Sequence, residues 1–463
     1  MARSDKSTES FELGSPPGAW PGLGHTLSLV RQPLKFIASL PQHGDLVRVK
    51  IGPYPLHVAC HPEIVRQLLM NPRTFDKGGP LFDTARALIG NGLGSCTWQD
   101  HQWQRPLLQP AFHTDRIEHY ATAMVRSAQT LTEPWATGRR IDVTRAMNDI
   151  TMNVLSSTLV PLDPEDQEKV KDALRVTLGT VQLRTMVPFS WWHRLPTPGN
   201  RRFATAQRTL RRITARVIDE HRKNPRSESN PVSLLLAGKD GRTGQPLTDE
   251  EIHDQIVTLF IGGTDTTAST LAFAFHLLGT HPECEARLHA EVDEVLGSRA
   301  PTVADLTRLG YTQRVITETL RMFPAGWFFT RTTTAPTQLG GHALGAGAAV
   351  AYSPYLLHRR PDLFPDPDRF DPDRWLPEHA KHTARGAVLP FGSGNRKCIG
   401  DNFAVTEAVL VLAAIASRWR LRPVPGAVIR PRPQLVLSPG PLPMTCEPRR
   451  RAAQDTPNSG GAR

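Results

Sequence analysis

Phe391-Gly392-Ser393-Gly394-Asn395-Arg396-Lys397-Cys398-Ile399-Gly400 presents one cysteine on a glycine-rich loop. The residues that follow, Asp401 to Leu410, carry apolar side chains at helical spacing, so the loop delivers Cys398 to the start of a helix. Unpaired backbone N–H groups and the positive end of a helix favour an anionic sulfur there. Gly392 and Gly394 allow backbone angles that residues with a Cβ resist, and they keep side chains away from a flat group lying against the loop. A thiolate so placed is suited to be the single protein ligand of a haem iron. The plain alternative is a buried structural cysteine beside a glycine turn.

Upstream, Thr248-Asp249-Glu250-Glu251 has the form of a capping box, with Glu251 three residues after the candidate cap. The spacing predicts one long helix from there to about Gly279, roughly 45 Å at 1.5 Å per residue and long enough to cross the molecule. Its middle reads Gly262-Gly263-Thr264-Asp265-Thr266-Thr267, and two adjacent glycines inside a helix cost about 2 kcal/mol relative to alanine. Bare backbone lets the helix pass close to a flat cofactor and leaves room for a diatomic ligand. A Thr266 hydroxyl can bond the Gly262 carbonyl one turn earlier, which bends the helix and opens a polar notch.

Other segments gain meaning together. Glu318-Thr319-Leu320-Arg321 puts opposite charges on one helix face; alone it reads as a solvated pair contributing about 0.5 kcal/mol or less. Trp98-Gln99-Asp100-His101-Gln102-Trp103-Gln104-Arg105 places His101 and Arg105 on one side of a predicted helix. Leu46 to Ile51 alternates apolar and charged residues, and after Gly52-Pro53 comes Leu56-His57-Val58, which predicts a hairpin. From Pro62, Ile64, Val65, Leu68 and Leu69 restore a helical period.

The cysteine loop matches every fixed position of Phe-Gly-x-Gly-x-Arg-x-Cys-x-Gly, the haem-ligand signature of the cytochromes P450, and the chain resembles that family from about Pro16 to about Cys446. The resemblance implies a mainly α fold with small β-sheets, a triangular single domain with a long central helix over haem b. It implies that Cys398 is the axial thiolate on iron, that Arg396 partners a haem propionate, that Phe391 packs near the sulfur, and that Gly400 completes the cofactor loop. Gly262 to Thr267 resembles the family's oxygen-activation motif. By that likeness Thr266 holds a hydrogen-bonded water where oxygen is activated, Asp265 connects the site to bulk protons, and Thr267 is structural. His101 and Arg105 look like the propionate clamp, and Arg331 like a further propionate contact. Arg374, within Phe370-Asp371-Pro372-Asp373-Arg374-Trp375, matches the arginine that joins Glu318 and Arg321 in a buried network holding the ligand loop's scaffold.

Composition sets outer bounds. With 463 residues and no linker-like shift, the chain reads as one domain over residues 16–446, with a polar segment 1–15 and a basic tail 447–463 too poor in apolar residues to fold. No run approaches the roughly 20 apolar residues of a membrane span, so no membrane anchor is expected and a cytoplasmic monomer is. Cys60, Cys96, Cys284, Cys398 and Cys446 have no paired spacing, which argues against disulfides or zinc. The net charge of +11 is dispersed, with no nucleic-acid motif. A basic surface, Lys397 included, suits docking of an acidic electron carrier. No second cysteine cluster and no Gly-x-Gly-x-x-Gly after a strand occur. Electrons are therefore expected from a ferredoxin and an NAD(P)H-dependent ferredoxin reductase, with a flavodoxin as the alternative.

By position the substrate pocket should be lined by a loop from about Leu81 to Leu93 with Leu88, by Leu259 and Gly262, and by Ala325 to Phe329 with Gly326 and Phe328. These residues are apolar, without the carboxylate an amine needs or the arginines a polyanion needs, so a lipophilic substrate is expected. Tyr352 to Tyr355 and Phe370 to Pro377 resemble actinobacterial members of the family that oxidise terpenes. The expected activity is O2-dependent monooxygenation of a terpenoid, a sesquiterpene above all, by one or several oxidations at one carbon. Fatty acids, steroids and polyketides are the alternative substrates, and a haem-thiolate sensor without turnover is the alternative class.

Overall fold

The computed structural model of the protein describes residues 11–186, 195–224, 230–380 and 386–449. Alternation over Leu46–Ile51 and the turn at Gly52-Pro53 produce the predicted hairpin with Tyr54–Ala59, Leu46 opposite Ala59 and Val49 opposite Leu56. The hairpin sits inside a six-stranded sheet ordered Leu13–Gly14, Leu46–Ile51, Tyr54–Ala59, Ala349–Tyr352, Phe329–Thr333 and Phe75–Asp76. The helix Pro62–Met70 turns Ile64, Val65, Leu68 and Leu69 inward, as its apolar period requires. Together these form a sheet core. A larger helical core surrounds Asp401–Ala416, a helix apolar on nearly every side and buried along its length. The fold is mainly α with small β-sheets, as expected.

Ordered structure extends beyond the domain ends read from the sequence. Leu13–Gly14 pairs in parallel with Leu46–Val47, which gives the polar start of the chain backbone partners that composition does not reveal. At the other end the strand Pro443–Pro448 runs past Cys446, and Arg449 donates to the Ala416 carbonyl at 2.7 Å. The expected basic tail from 450 onward lies outside the described residues.

The capping box at Thr248 and Glu251 forms with both of its bonds. The long helix it opens is present but interrupted. Asp249–Gly263 and Asp265–Thr280 are separated at Thr264, where φ is −105° and ψ is −77°. At the break Thr264 donates to the Phe260 carbonyl at 2.8 Å and Thr266 to the Gly262 carbonyl at 2.7 Å. Such bonds compete with the helical ladder, which the two preceding glycines already weaken.

Glu318 and Arg321 have no side-chain exposure and meet at 2.8 Å through two hydrogen bonds. Glu318 also accepts from the Trp375 indole at 2.9 Å and the Asp371 N–H at 3.2 Å, with Arg374 farther at 3.5 Å. Arg321 donates onward to the carbonyls of His358, Pro367 and Arg369. His358 continues the chain, with its Nδ1 3.0 Å from the Arg321 carbonyl oxygen and its Nε2 accepting from the Leu389 N–H at 2.9 Å. Leu389 in turn accepts from Gly392 of the cysteine loop. Removing the carboxylate would strand a buried guanidinium. Glu318→Ala is expected to lower unfolding stability by about 3–5 kcal/mol, read from urea denaturation, while Arg374→Ala, with its longer contact, should cost clearly less.

Candidate active site

The Cys398 N–H donates to the Phe391 carbonyl at 2.9 Å and closes the loop. Gly392 and Gly394 have φ of 70° and 68°, in the region that favours glycine. A Cβ on Gly394 would lie 2.7 Å from the Leu69 carbonyl oxygen, so the sheet core presses directly on the loop. From the other side Arg105 donates to the Lys397 carbonyl at 2.5 Å, and Lys397 itself pairs with Asp401. Phe391 is half-buried against the helical core. Gly400 caps the helix Asp401–Ala416, and its N–H reaches the sulfur.

Cys398 keeps exposed surface at the loop. Burial pushes its thiol up, against the Gly400 N–H and the charges of Arg105 and Lys397. The Gly400 N–H and the two cations favour the anion, as the helix start suggests, while burial opposes it. A metal bound to the sulfur would favour the thiolate further.

Beside the loop lies a pocket of basic side chains drawn from four distant segments. Arg396 pairs with Asp76 at 2.5 Å and donates to the Cys96 carbonyl at 2.8 Å. Lys77 donates to the Gly94 carbonyl at 2.6 Å, and burial with the Arg396 and Arg331 charges brings it down to about 7. His101 stacks on Trp98 at 5.7 Å between ring centres; burial first, then Arg396, Lys77 and Arg105, bring it down to about 3. Arg331, 5% exposed, sits 5.6 Å from the centre of the Tyr352 ring. The Trp98 indole N–H is buried without a partner. Crowded basic groups around one carboxylate, with an orphaned donor among them, form an anion receptor. The two propionates of a haem whose iron is held by Cys398 fit it. Arg105, expected in the clamp, donates to the ligand loop and lies close enough to His101 to act on it.

On the opposite side, Gly262 faces open space, whereas a Cβ on Gly263 would lie 2.7 Å from Leu155 of the helix Val143–Thr158. Gly262 therefore serves the cofactor face and Gly263 serves helix packing, a division the expectation for the pair lacked. Asp265 lies within electrostatic reach of Arg175 on the helix Pro164–Met186; burial pushes its carboxyl up and Arg175 opposes this. Arg175 is exposed and paired with Asp172 at 2.6 Å, so the acid lies beside a solvated ion pair. Thr267 is buried and faces Glu407 of the helix Asp401–Ala416, which ties the two sides of the site together.

The pocket wall expected as a loop is largely a helix, Gly79–Ile89, with Leu88 half-buried on it. A Gly-Pro start hid that helix, because both residues read as breakers while Pro is well tolerated in a first turn. Its exit is pinned to the long helix: Asp254 accepts from the Asn91 N–H at 2.7 Å and Gln255 from the Leu93 N–H at 3.0 Å. Leu259 is buried in the helical core instead of facing open space. At Gly326 a Cβ would lie 2.4 Å from the Phe329 ring, so that glycine makes room for an aromatic neighbour. Phe328 packs on the sheet core with Trp327, ring centres 5.6 Å apart. Sequence reading missed Lys77, Trp98, His358 and Trp375. A buried indole N–H needs an acceptor, and only Trp98 and Trp375 beside matched motif residues carried that signal.

A cytochrome P450 family model matches residues 14–446. The chain is 50% identical to a cyclooctat-9-en-7-ol 5-monooxygenase of Streptomyces melanosporofaciens, over 95% of this chain and 96% of that protein. It is 42% identical to a pentalenene oxygenase of Streptomyces avermitilis, over 92% and 95% of the two chains. Among solved structures it resembles the crystal structure of the cytochrome P450DA heme domain, with a TM-score of 0.84, 28% identity, and coverage of 95% and 98%.

Two outcomes test the site. Cys398→Ser should bind haem yet lose the thiolate-type absorption of the ferrous carbon monoxide complex; a spectrum unchanged from wild type removes Cys398 as the ligand. Burial pushes Asp254 up to about 6, with Glu250 and Glu251 adding to the shift and the Asn91 N–H and Arg211 opposing it. Its stabilising contribution is present at acid pH and is lost as pH rises through about 6. Asp254→Asn keeps an acceptor for Asn91 without the charge. In urea unfolding the variant should gain up to about 3 kcal/mol over wild type at pH 7.5, shrinking toward zero at pH 4.

Proposed function

The chain belongs to the cytochrome P450 family, and from that premise we propose that it is a monooxygenase that places one oxygen atom from O2 on a lipophilic terpenoid of secondary metabolism. The observation that carries the chemistry is the Thr266 hydroxyl bonded to the Gly262 carbonyl at a break in the long helix. The terpenoid class rests on relatives named for cyclooctatin and pentalenene chemistry, covering nearly the whole chain. Haem b, when bound to Cys398, supplies the redox centre at which O2 is reduced and cleaved.

The protein's own groups do the rest. Gly262 leaves the cofactor face of the helix bare. Thr266 holds an acceptor and donor hydroxyl at the notch, where it positions a water and keeps it from diffusing into the apolar pocket. Asp265, with its carboxyl pushed up, holds a proton to higher pH than a solvated aspartate and passes it inward, replenished from the Arg175 and Asp172 surface. Apolar walls exclude bulk water, so protons arrive by this route. The substrate is hydrophobic enough to bind by surface burial alone, and oxidation at one carbon can be repeated without a change of pose. Electrons come from a ferredoxin and its NAD(P)H-dependent reductase in the cytoplasm, met by the basic surface around Lys397.

The test combines binding with turnover. Cyclooctat-9-en-7-ol and pentalenene are titrated against the haem-loaded protein while the spectrum is watched for displacement of iron-bound water, and the binders are then turned over with ferredoxin and reductase. At least one terpenoid should bind and yield a hydroxylated product, and binding by fatty acids alone overturns the substrate class. Thr266→Ala should keep substrate binding while diverting most reducing equivalents to hydrogen peroxide. Unchanged coupling removes Thr266 from the proton route.

A further inference from the structure

Pro17-Gly18-Ala19-Trp20-Pro21-Gly22-Leu23 is seven consecutive residues, all exposed, none charged. Trp20 shows 61% of its surface and Leu23 55%. An exposed apolar run of this length costs solubility and is kept where something covers it. It does not stand alone. The hairpin tip Pro53-Tyr54-Pro55 is exposed as well, with Tyr54 at 70%. The two loops are joined by backbone hydrogen bonds, Gly52 N–H to the Leu23 carbonyl at 3.1 Å and His25 N–H to the Lys50 carbonyl at 2.7 Å. They therefore present one rigid apolar face.

Charge around the face is one-sided. From Phe11 to His61 the chain holds four cations, Arg31, Lys35, Arg48 and Lys50, and two acids, Glu12 and Asp45. The last accepts from the Glu12 N–H. Next to the apolar face, Arg31 and Lys35 line a groove of about 340 Å³ with Leu27 and Phe36, a cationic rim with an apolar floor. Phe36 and the hairpin end at Ile51 pack on the same sheet core as Trp327 and Phe328.

We infer that this face docks on an anionic phospholipid bilayer, with Trp20, Leu23 and Tyr54 entering the headgroup region and Arg31 and Lys35 holding lipid phosphates. Trp and Tyr have an apolar body with one polar tip, which suits the boundary between headgroups and acyl chains. Arg31 and Lys35 each add about 1 kcal/mol of attraction to an anionic surface. Among the described residues no helix is long and apolar enough to span a bilayer, so the contact is peripheral. The inference does not need the terpenoid reading, because vesicle binding is measured with no substrate present.

The haem-loaded protein is sedimented with vesicles of phosphatidylglycerol and phosphatidylcholine, and with phosphatidylcholine alone. Binding is expected to the anionic vesicles, weakening as salt rises. Trp20→Ser/Leu23→Ser/Tyr54→Ser, which leaves the net charge intact, should cut binding about tenfold or more. These side chains are mostly exposed, so the variant's melting curve and carbon monoxide spectrum should match the wild type. Arg31→Gln/Lys35→Gln should lose the preference for anionic vesicles. No binding by wild type overturns the proposal. So does full binding by the triple variant, which would assign attraction to net charge alone, or a dimer that the triple variant abolishes, which would assign the face to a second copy.

Discussion

Arg321 cannot reach water, and the molecule is arranged so that it never needs to. Its guanidinium is spent on Glu318 and on the carbonyls of His358, Pro367 and Arg369. A buried ion pair of this kind is weak evidence for net stability, since desolvation offsets much of the attraction. Its value is positional. One fixed cation gathers backbone carbonyls at 358 and at 367 and 369, and His358 carries that order to Leu389 and so to the cysteine loop. Both ring nitrogens of His358 are used, Nδ1 facing a carbonyl and Nε2 an N–H, a set that only the neutral ring satisfies. Burial holds its titration down near 3, so the link survives any ordinary pH. The sulfur ligand thus inherits its place from a charge pair well away from it.

Electrostatics at the centre follow the reverse logic. Burial opposes the Cys398 anion that the Gly400 N–H, Arg105 and Lys397 favour, and the fold crowds Lys77, Arg331, Arg396 and the neutral ring of His101 around one aspartate. Each region is incomplete alone: one holds a sulfur whose charge burial opposes, the other several basic groups against a single carboxylate. A group with a metal cation at its middle and two carboxylates at one edge would complement both at once.

What could be read from the chain divides along a physical line. Cys398, Thr266, Glu318 and the capping box were legible because their chemistry requires a residue type at a fixed short spacing, and the structure realises each spacing. Lys77 and Trp98 were not, since they matter only through neighbours brought from around residues 331 and 396 by the sheet and the ligand loop. The helix Gly79–Ile89 was hidden by a start that mimics a turn, and the split at Thr264 by a periodicity that runs on across it. Hydrophobic period reports which face is buried; it does not report whether a hydroxyl competes with the ladder for a carbonyl. The roles of Leu259 and Gly326 could not be assigned for a related reason, because an apolar residue reads the same in a core as in a pocket wall.

Glu407 shows how closely the two sides of the site are coupled. It lies on the helix that begins at the ligand loop, is fully buried, and has no hydrogen bond of ordinary geometry to either carboxyl oxygen, although Thr267 faces it. Burial pushes it well above the ordinary carboxylate range, while the Thr267 hydroxyl opposes the shift. A charged group there would sit between the ligand helix and the broken helix with no cation to meet it. Protonation removes that cost, and Thr267, next in sequence to the hydroxyl at the notch, meets Glu407 on the helix that carries the sulfur's loop. The broken helix and the ligand helix therefore pack against each other within one turn of the break at Thr264.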